Sequence, residues 1–353
     1  MKMKKTLIYL IAAACCFCGC AKTITQTNNE ASKRYLDAWV YVQKQKHPEY
    51  LWKQTPLGSW IIEETEGKGK AITEFEDSLY IRVNYTYSSL AGDISNTTSE
   101  KISQQLGTYV ENDYYGPQVW YANGIYAGLE ELVKGMKAGG RRKAVIPGWL
   151  QTTTRCETVE EYMALSDDKI GTTQIFDIEL VEYFINENEW ELDSISRYLV
   201  RNFPYRFGKD PQKARADSSG AHGFYYIRQE EPKEDKELTD TTVYINYIGR
   251  LLNGTVFDTN IRDTAMFYGI YSSGKTYGPV SISYGSEWSS SKMGAESNSV
   301  ISGFARTLWA MHPYEKGTGI FYSPLGYSYK GSGSTIPPYS PLRFDIELVA
   351  NPD

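Results

Sequence analysis

The chain ends twice on the same strand. Phe176-Asp177-Ile178-Glu179-Leu180-Val181 and Phe344-Asp345-Ile346-Glu347-Leu348-Val349 are one hexapeptide written at two places, apolar at every second residue as a half-buried strand requires. Upstream of each copy the same pieces recur in the same order. GLEELVKGM at 128–136 matches GFARTLWAM at 303–311, each a short amphipathic helix. Residues 77–85 (DSLYIRVNY) align with 240–247 (DTTVYINY), apart from one residue of slack. Further strands are expected at 59–65 and 223–230, and helices at 31–45 and 192–202, the helices followed by Pro48 and Pro204. A period of roughly 165 residues is far longer than a solenoid repeat, so the chain holds two copies of one domain. Its 353 residues leave room for two cores.

Each copy therefore has several strands and one short helix late in the order. That is an α+β arrangement, a curved antiparallel sheet wrapped over a short helix, with an extra helix before each sheet. The expected domains are 31–186 and 187–353. The 29 tyrosines suit half-buried strand surfaces, ring inward and hydroxyl wet. A mean hydropathy of −0.46 fits soluble domains. The charge run at 229–237 (QEEPKEDKE) is expected to be a solvated loop or hairpin tip.

The first residues carry a different signal. Lys2, Lys4 and Lys5 precede an apolar run from Leu7 to Cys18, too short to cross a bilayer core of about 30 Å. Gly19-Cys20 ends that run and resembles a bacterial lipobox, with Phe17 where Leu is usual. Residues 1–19 are expected to be a signal peptide, Cys20 the lipidated (palmitate-bearing) first mature residue, and 20–30 a polar tether. Cleavage removes three lysines and moves the net charge from −6 to −9. With no basic face, a nucleic-acid partner is not expected, and the lipid alone would hold the protein to the membrane. Localisation follows from the same motif: a cell-envelope lipoprotein, facing the periplasm from the outer membrane since no acidic cluster follows Cys20.

Cysteine and histidine usage excludes other chemistries. Cys15, Cys16 and Cys18 leave with the signal and Cys20 takes the lipid, so Cys156 stands alone with no disulfide partner. His47, His222 and His312 lie far apart without ligand spacing, which gives no basis for a metal site or a His-based triad. No cofactor is implied.

Through residues 243–251, Asn253-Gly254, 256–259, 300–304, Tyr327, 336–338 and 342–348, taken in that order, the second copy resembles the FKBP family of peptidyl-prolyl cis-trans isomerases over about 110 residues. Residues 243–251 (VYINYIGRL) look like its first long strand, Asn253-Gly254 like its hairpin turn, and Val256-Phe257-Asp258-Thr259 like its returning Phe-Asp strand. Val300-Ile301-Ser302-Gly303-Phe304 resembles the opening of its short helix. Tyr327 precedes Ile336-Pro337-Pro338 at the family's spacing, and 342–348 (LRFDIEL) resembles the last strand. The resemblance implies a proline isomerase that assists folding of exported proteins and acts on proline-containing polypeptides. Tyr247, Phe257, Asp258, Ile301, Tyr327 and Phe344 would be the catalytic set, and Val300, Phe304 and Ile336 would complete the substrate pocket. Within that set the Ile301 N–H and the Tyr327 hydroxyl would bind substrate carbonyls. Departures are Phe304 where Trp is usual, Ser332 where His is common, Val280 near an aromatic wall position, and a long segment at 260–299 expected to form an enlarged flap.

The first copy keeps Tyr85 but has Ile94-Ser95 in place of Phe-Asp, Leu129 at the floor position, and no Tyr…Ile-Pro-Pro loop after Ile146-Pro147. An insertion at 151–173 stands there instead. The first copy, 31–186, is expected to be a degenerate, non-catalytic FKBP-like domain. For the whole protein, the alternatives to an isomerase are a non-catalytic peptide-clasping chaperone and an envelope docking lipoprotein built on the same folds.

Overall fold

The computed structural model describes residues 28–75, 78–233, 238 and 241–352. The signal segment, Cys20 and most of the tether, with the Asp77 and Asp240 ends of the repeats and residues 234–237 of the charge run, lie outside the described residues.

Helix α1 (Asn28–Lys46) leads into the first sheet: β1 (Trp60–Thr65), β2 (Leu79–Ser88), β3 (Ile94–Thr97), β4 (Gln118–Tyr121), β5 (Gly140–Ile146) and β6 (Gln174–Ile185). Helix α2 (Glu100–Leu106) lies between β3 and β4, and α3 (Ala127–Val133) between β4 and β5. Helix α4 (Glu187–Asn202) opens the second half, followed by β7 (Phe224–Glu230), β8 (Thr242–Leu251), β9 (Val256–Thr259), α5 (Arg262–Phe267) and β10 (Val280–Ser283). Two-residue strands β11 (Lys292–Met293) and β12 (Asn298–Ser299) precede α6 (Ser302–Trp309), β13 (Lys316–Phe321) and β14 (Leu342–Val349).

The duplication expected from the hexapeptide governs topology. The first sheet runs β1-β5-β6-β2-β3 with β4 also on β2; the second runs β7-β13-β14-β8-β10 with β9 also on β8. All of these pairings are antiparallel. Each sheet closes over one helix. Gly303 lets α6 lie directly on β13, since a Cβ there would meet the Phe321 ring at 2.3 Å. Two separate cores result, around Phe176 and Ile178 in the first half and around Phe344 and Ile346 in the second. A third cluster joins Ile195 and Leu199 of α4 to Tyr225, Ile227 and Ile320, so α4 packs on the second sheet.

Three expectations are adjusted. Helix α4 starts five residues earlier than the apolar spacing indicates, because Asn186, at φ 73°, turns the chain and its side chain accepts from Glu189 N–H at 3.2 Å. The long segment at 260–299 is not a plain loop: it builds α5, then extends the sheet edge through β10, β11 and β12. Register also moves one comparison by a residue. Tyr87 pairs with Asn96 and Phe176 as Gly249 pairs with Asp258 and Phe344, so Ser95-Asn96, rather than Ile94-Ser95, occupies the Phe257-Asp258 place.

Candidate active site

Strand β8 alternates, so Ile245, Tyr247, Gly249 and Leu251 face inward. The Asn253-Gly254 turn returns the chain, with Leu251 N–H donating to Thr255 O at 2.9 Å. The register then slips between Gly249 and Arg250, leaving Phe257 as an extra residue on β9. A bulge of this kind re-aims a side chain. Here it lays the Phe257 ring where Gly249 lacks a Cβ: an added carbon would lie 2.6 Å from Phe257 and 2.9 Å from Phe344.

Four rings meet at this point. Phe344 contacts Phe304 at 5.0 Å and Phe257 at 5.6 Å, both edge to face, and Tyr247 meets Phe304 at 5.7 Å. These geometries suit the ring quadrupoles. Tyr247 and Phe344 come from paired strands, Phe304 from the first turn of α6, and Phe257 from the bulge. The Tyr247 hydroxyl donates to Asp258 Oδ2 at 2.8 Å, and burial with the Asp258 charge pushes its phenol far above the usual range. Lys275 forms an ion pair with the other Asp258 oxygen.

Val300 and Ile301 are half-buried against the same core. Ile301 is the N-cap of α6, at φ −64° and ψ 150°, and among the described residues its N–H has no acceptor. Tyr327 and Ile336 arrive on the connection between β13 and β14. Tyr327 packs on this core, and its hydroxyl is shifted upward by burial, then by the Asp258 charge. Ile336 is buried; its N–H donates to Ser332 O and its carbonyl accepts from Ser332 N–H, at 3.1 and 2.8 Å. The nine residues singled out from sequence thus all border the core under β8, α6 and the β13–β14 connection.

Two participants escaped sequence reasoning. Buried Asn260 accepts from Tyr247 N–H at 2.7 Å and donates to the Ile245 and Gly278 carbonyls at 2.8 Å, tying β8 to the segment before β10. Lys275 is the second. A repeat marks the segment that carries Lys275, though not the lysine itself: Gly107-Thr108-Tyr109 to Tyr115-Gly116-Pro117 matches Gly269-Ile270-Tyr271 to Tyr277-Gly278-Pro279. In both, the two tyrosines stack, at 5.4 and 5.3 Å, and the second hydroxyl accepts a backbone N–H of the loop at 2.9 Å.

The first copy packs the equivalent space differently. Tyr87 stands at the Gly249 position, stacks on Tyr85 at 4.6 Å and lies on Phe176 at 4.4 Å, while Ser95 replaces Phe257. The ring that lies against the last strand comes from the long strand instead of from the bulge.

The family model described as FKBP-type peptidyl-prolyl cis-trans isomerase matches residues 233–349. The chain is 31% identical over 115 residues to FK506-binding protein 2 of Candida glabrata, covering 32% of this chain and 67% of that one. It is 32% identical over 116 residues to the macrophage infectivity potentiator of Trypanosoma cruzi, covering 32% and 45%. A probable FKBP-type isomerase of Haemophilus influenzae matches at 24% over 192 residues, covering 52% and 69%. The chain thus spans about half the length of the trypanosome protein. Among solved structures, FkpA from Escherichia coli aligns at 22% identity and TM-score 0.28, covering 52% of this chain and 72% of that one. The chain belongs to the FKBP-type peptidyl-prolyl cis-trans isomerase family.

Proposed function

We propose that the second domain is a peptidyl-prolyl cis-trans isomerase and that the first is a non-catalytic copy. The observation that carries this is the four-ring cluster of Tyr247, Phe257, Phe304 and Phe344 beside the Ile301 N–H, which has no acceptor among the described residues. Rotation about an X–Pro bond meets a barrier of about 18–20 kcal/mol set by amide resonance. No bond breaks, so a site lowers the barrier by binding the twisted amide better than the planar one. An apolar hollow holds the proline ring and excludes the water that solvates the planar carbonyl. The Ile301 N–H and the Tyr327 hydroxyl are donors for substrate carbonyls. Asp258, held by Tyr247 and Lys275, gives the wall a fixed polar point.

The first domain lacks this combination: Tyr87 and Ser95 stand where the second has Gly249 and Phe257, and Tyr126 caps α3 where Ile301 caps α6. In the same proposal the protein is an envelope lipoprotein attached through Cys20, acting on proline-containing chains as they fold after export. Its support is the lysine-flanked apolar run ending in Gly19-Cys20. A clasping role without turnover has support of its own in Phe267 and Met266, 82% and 57% exposed on α5 beside β9.

The test is proline exchange, read by NMR or by a protease-coupled peptide, on the full mature chain and its Phe257→Ala and Asp258→Ala variants. A fall in kcat/KM of roughly ten- to a hundredfold, with unfolding midpoints little changed, is expected for Phe257→Ala. Unchanged kcat/KM in both variants would remove the proposed site. Suppression of aggregation that survives both, without exchange activity in the parent, would favour the clasp.

A further inference from the structure

We infer that Asp113 and Tyr114 of the first domain are positioning residues for the second, holding the 323–340 loop that carries Tyr327 and Ile336. This rests on the isomerase reading of that loop.

The loop is held at three points by parts of the chain outside its own sheet. At its start, buried Glu191 of α4 accepts from both Ser323 N–H and Ser323 Oγ, each at 2.6 Å. At its tip, Tyr114 N–H donates to Ser334 O at 2.9 Å and the Ser334 hydroxyl donates to Asp113. At its end, Tyr339 meets Tyr80 edge to face at 5.3 Å, and Tyr80 stacks on Phe184, which stacks on Trp190 at 4.6 Å. Tyr339 sits at φ 56° and Ser328, whose carbonyl accepts from Tyr339 N–H, at φ 53°. Side chains rarely adopt such backbone unless their surroundings hold it.

The first domain's arm is its own Gly107–Pro117 repeat, the counterpart of the 269–279 segment. In the second domain that segment supplies Lys275 to Asp258. In the first it reaches outward: the Tyr114 ring packs on the second domain's core, and the Glu111 carboxylate lies 2.0 Å from where a Gly269 Cβ would be. The arm therefore touches both the loop tip and the segment after α5. Ser334 also lines one hollow with Tyr85, Asn96 and Tyr115 of the first domain. The tip of the neighbouring loop thus reaches a hollow of the first domain.

The energetic reason is preorganisation. The loop contains Gly326, Gly331 and Gly333 and has no long strand or helix of its own. Left free, it would lose conformational entropy each time substrate fixed Tyr327 and Ile336. Holding the tip beforehand moves that cost from binding to folding and improves affinity. Loosening the tip should therefore raise KM and leave kcat nearly unchanged, since the chemistry under β8 is untouched.

The test compares the full mature chain with Asp113→Ala, Ser334→Ala, the Asp113→Ala/Ser334→Ala pair, and Asp113→Ala/Tyr114→Ala. Expected are a KM rise of roughly threefold for either single variant, no further rise when the pair is combined, and roughly tenfold for Asp113→Ala/Tyr114→Ala, with kcat within about twofold. Hydrogen exchange should quicken by similar factors at the Ser332, Ile336 and Tyr339 amides. The Tyr247 amide, held by Asn260, should be unchanged. Loop exchange and KM both at parent values would overturn the inference. So would uniform loss of protection across the second domain, which would mean a merely structural contact. If the parent chain has no exchange activity, the isomerase reading falls, and amide exchange alone decides whether the arm holds the loop.

Discussion

Glu191 should make the second domain lose stability as pH rises. Its carboxyl is fully buried, and burial outweighs the two Ser323 hydrogen bonds, which favour the charged form; Glu187 adds a like charge. The result is a pKa raised to about 7 from 4.5. Because the folded value exceeds the unfolded one, the contribution is present in full below about pH 4.5 and is lost as pH climbs to about 7. At 1.36 kcal/mol per unit, the difference is about 3 kcal/mol, or roughly 10 °C in Tm for a domain of this size. Glu191→Gln removes the titration and keeps the geometry, its carbonyl accepting from Ser323 N–H and its amide donating to Ser323 Oγ. Urea or thermal unfolding of both proteins between pH 4.5 and 8 should show the variant gaining on the parent with each step, then levelling above about pH 7. Taking the difference cancels the other titrating groups. A difference that stays flat from pH 4.5 to 8 would refute the assignment, and so would one that shrinks as pH rises.

Other outcomes follow from the same packing. Gly249→Val should cost about 1–3 kcal/mol in urea unfolding and abolish exchange activity, since the new side chain displaces Phe257 and Phe344. Adding Phe257→Ser to Gly249→Tyr copies the first domain's solution and should recover stability without activity. Asn260→Ala leaves Tyr247 N–H and the Ile245 and Gly278 carbonyls without that partner and should cost about 2–4 kcal/mol, read as a lower urea midpoint. Cys20→Ser should shift the expressed protein from the membrane to the soluble fraction and stop incorporation of labelled fatty acid; continued membrane retention with label would remove Cys20 as the anchor.

Much of this was legible in the residues because it is carried by local patterns. A twice-written strand, a turn of Asn253-Gly254 and two short amphipathic helices specify backbone states that neighbouring residues enforce on their own. They determined that there are two α+β domains and which strand, turn and helix bring Tyr247, Phe257, Phe304 and Phe344 together. Asn260 and Lys275 were not legible, since a single polar side chain announces nothing until its acceptors are in place. Nor was the role of Tyr87: only the pairing of β2 with β3 and β6 shows that it stands at the Gly249 position. The loop's anchoring is the extreme case. Asp113 and Ser334 lie 221 residues apart, and Glu191 and Ser323 lie 132 apart. The first contact depends on how two finished domains meet and the second on how α4 packs on the second sheet, and no periodicity along the chain encodes either. Sequence alone determined the parts of each domain; the tertiary structure decided that an arm of one domain holds the other domain's loop.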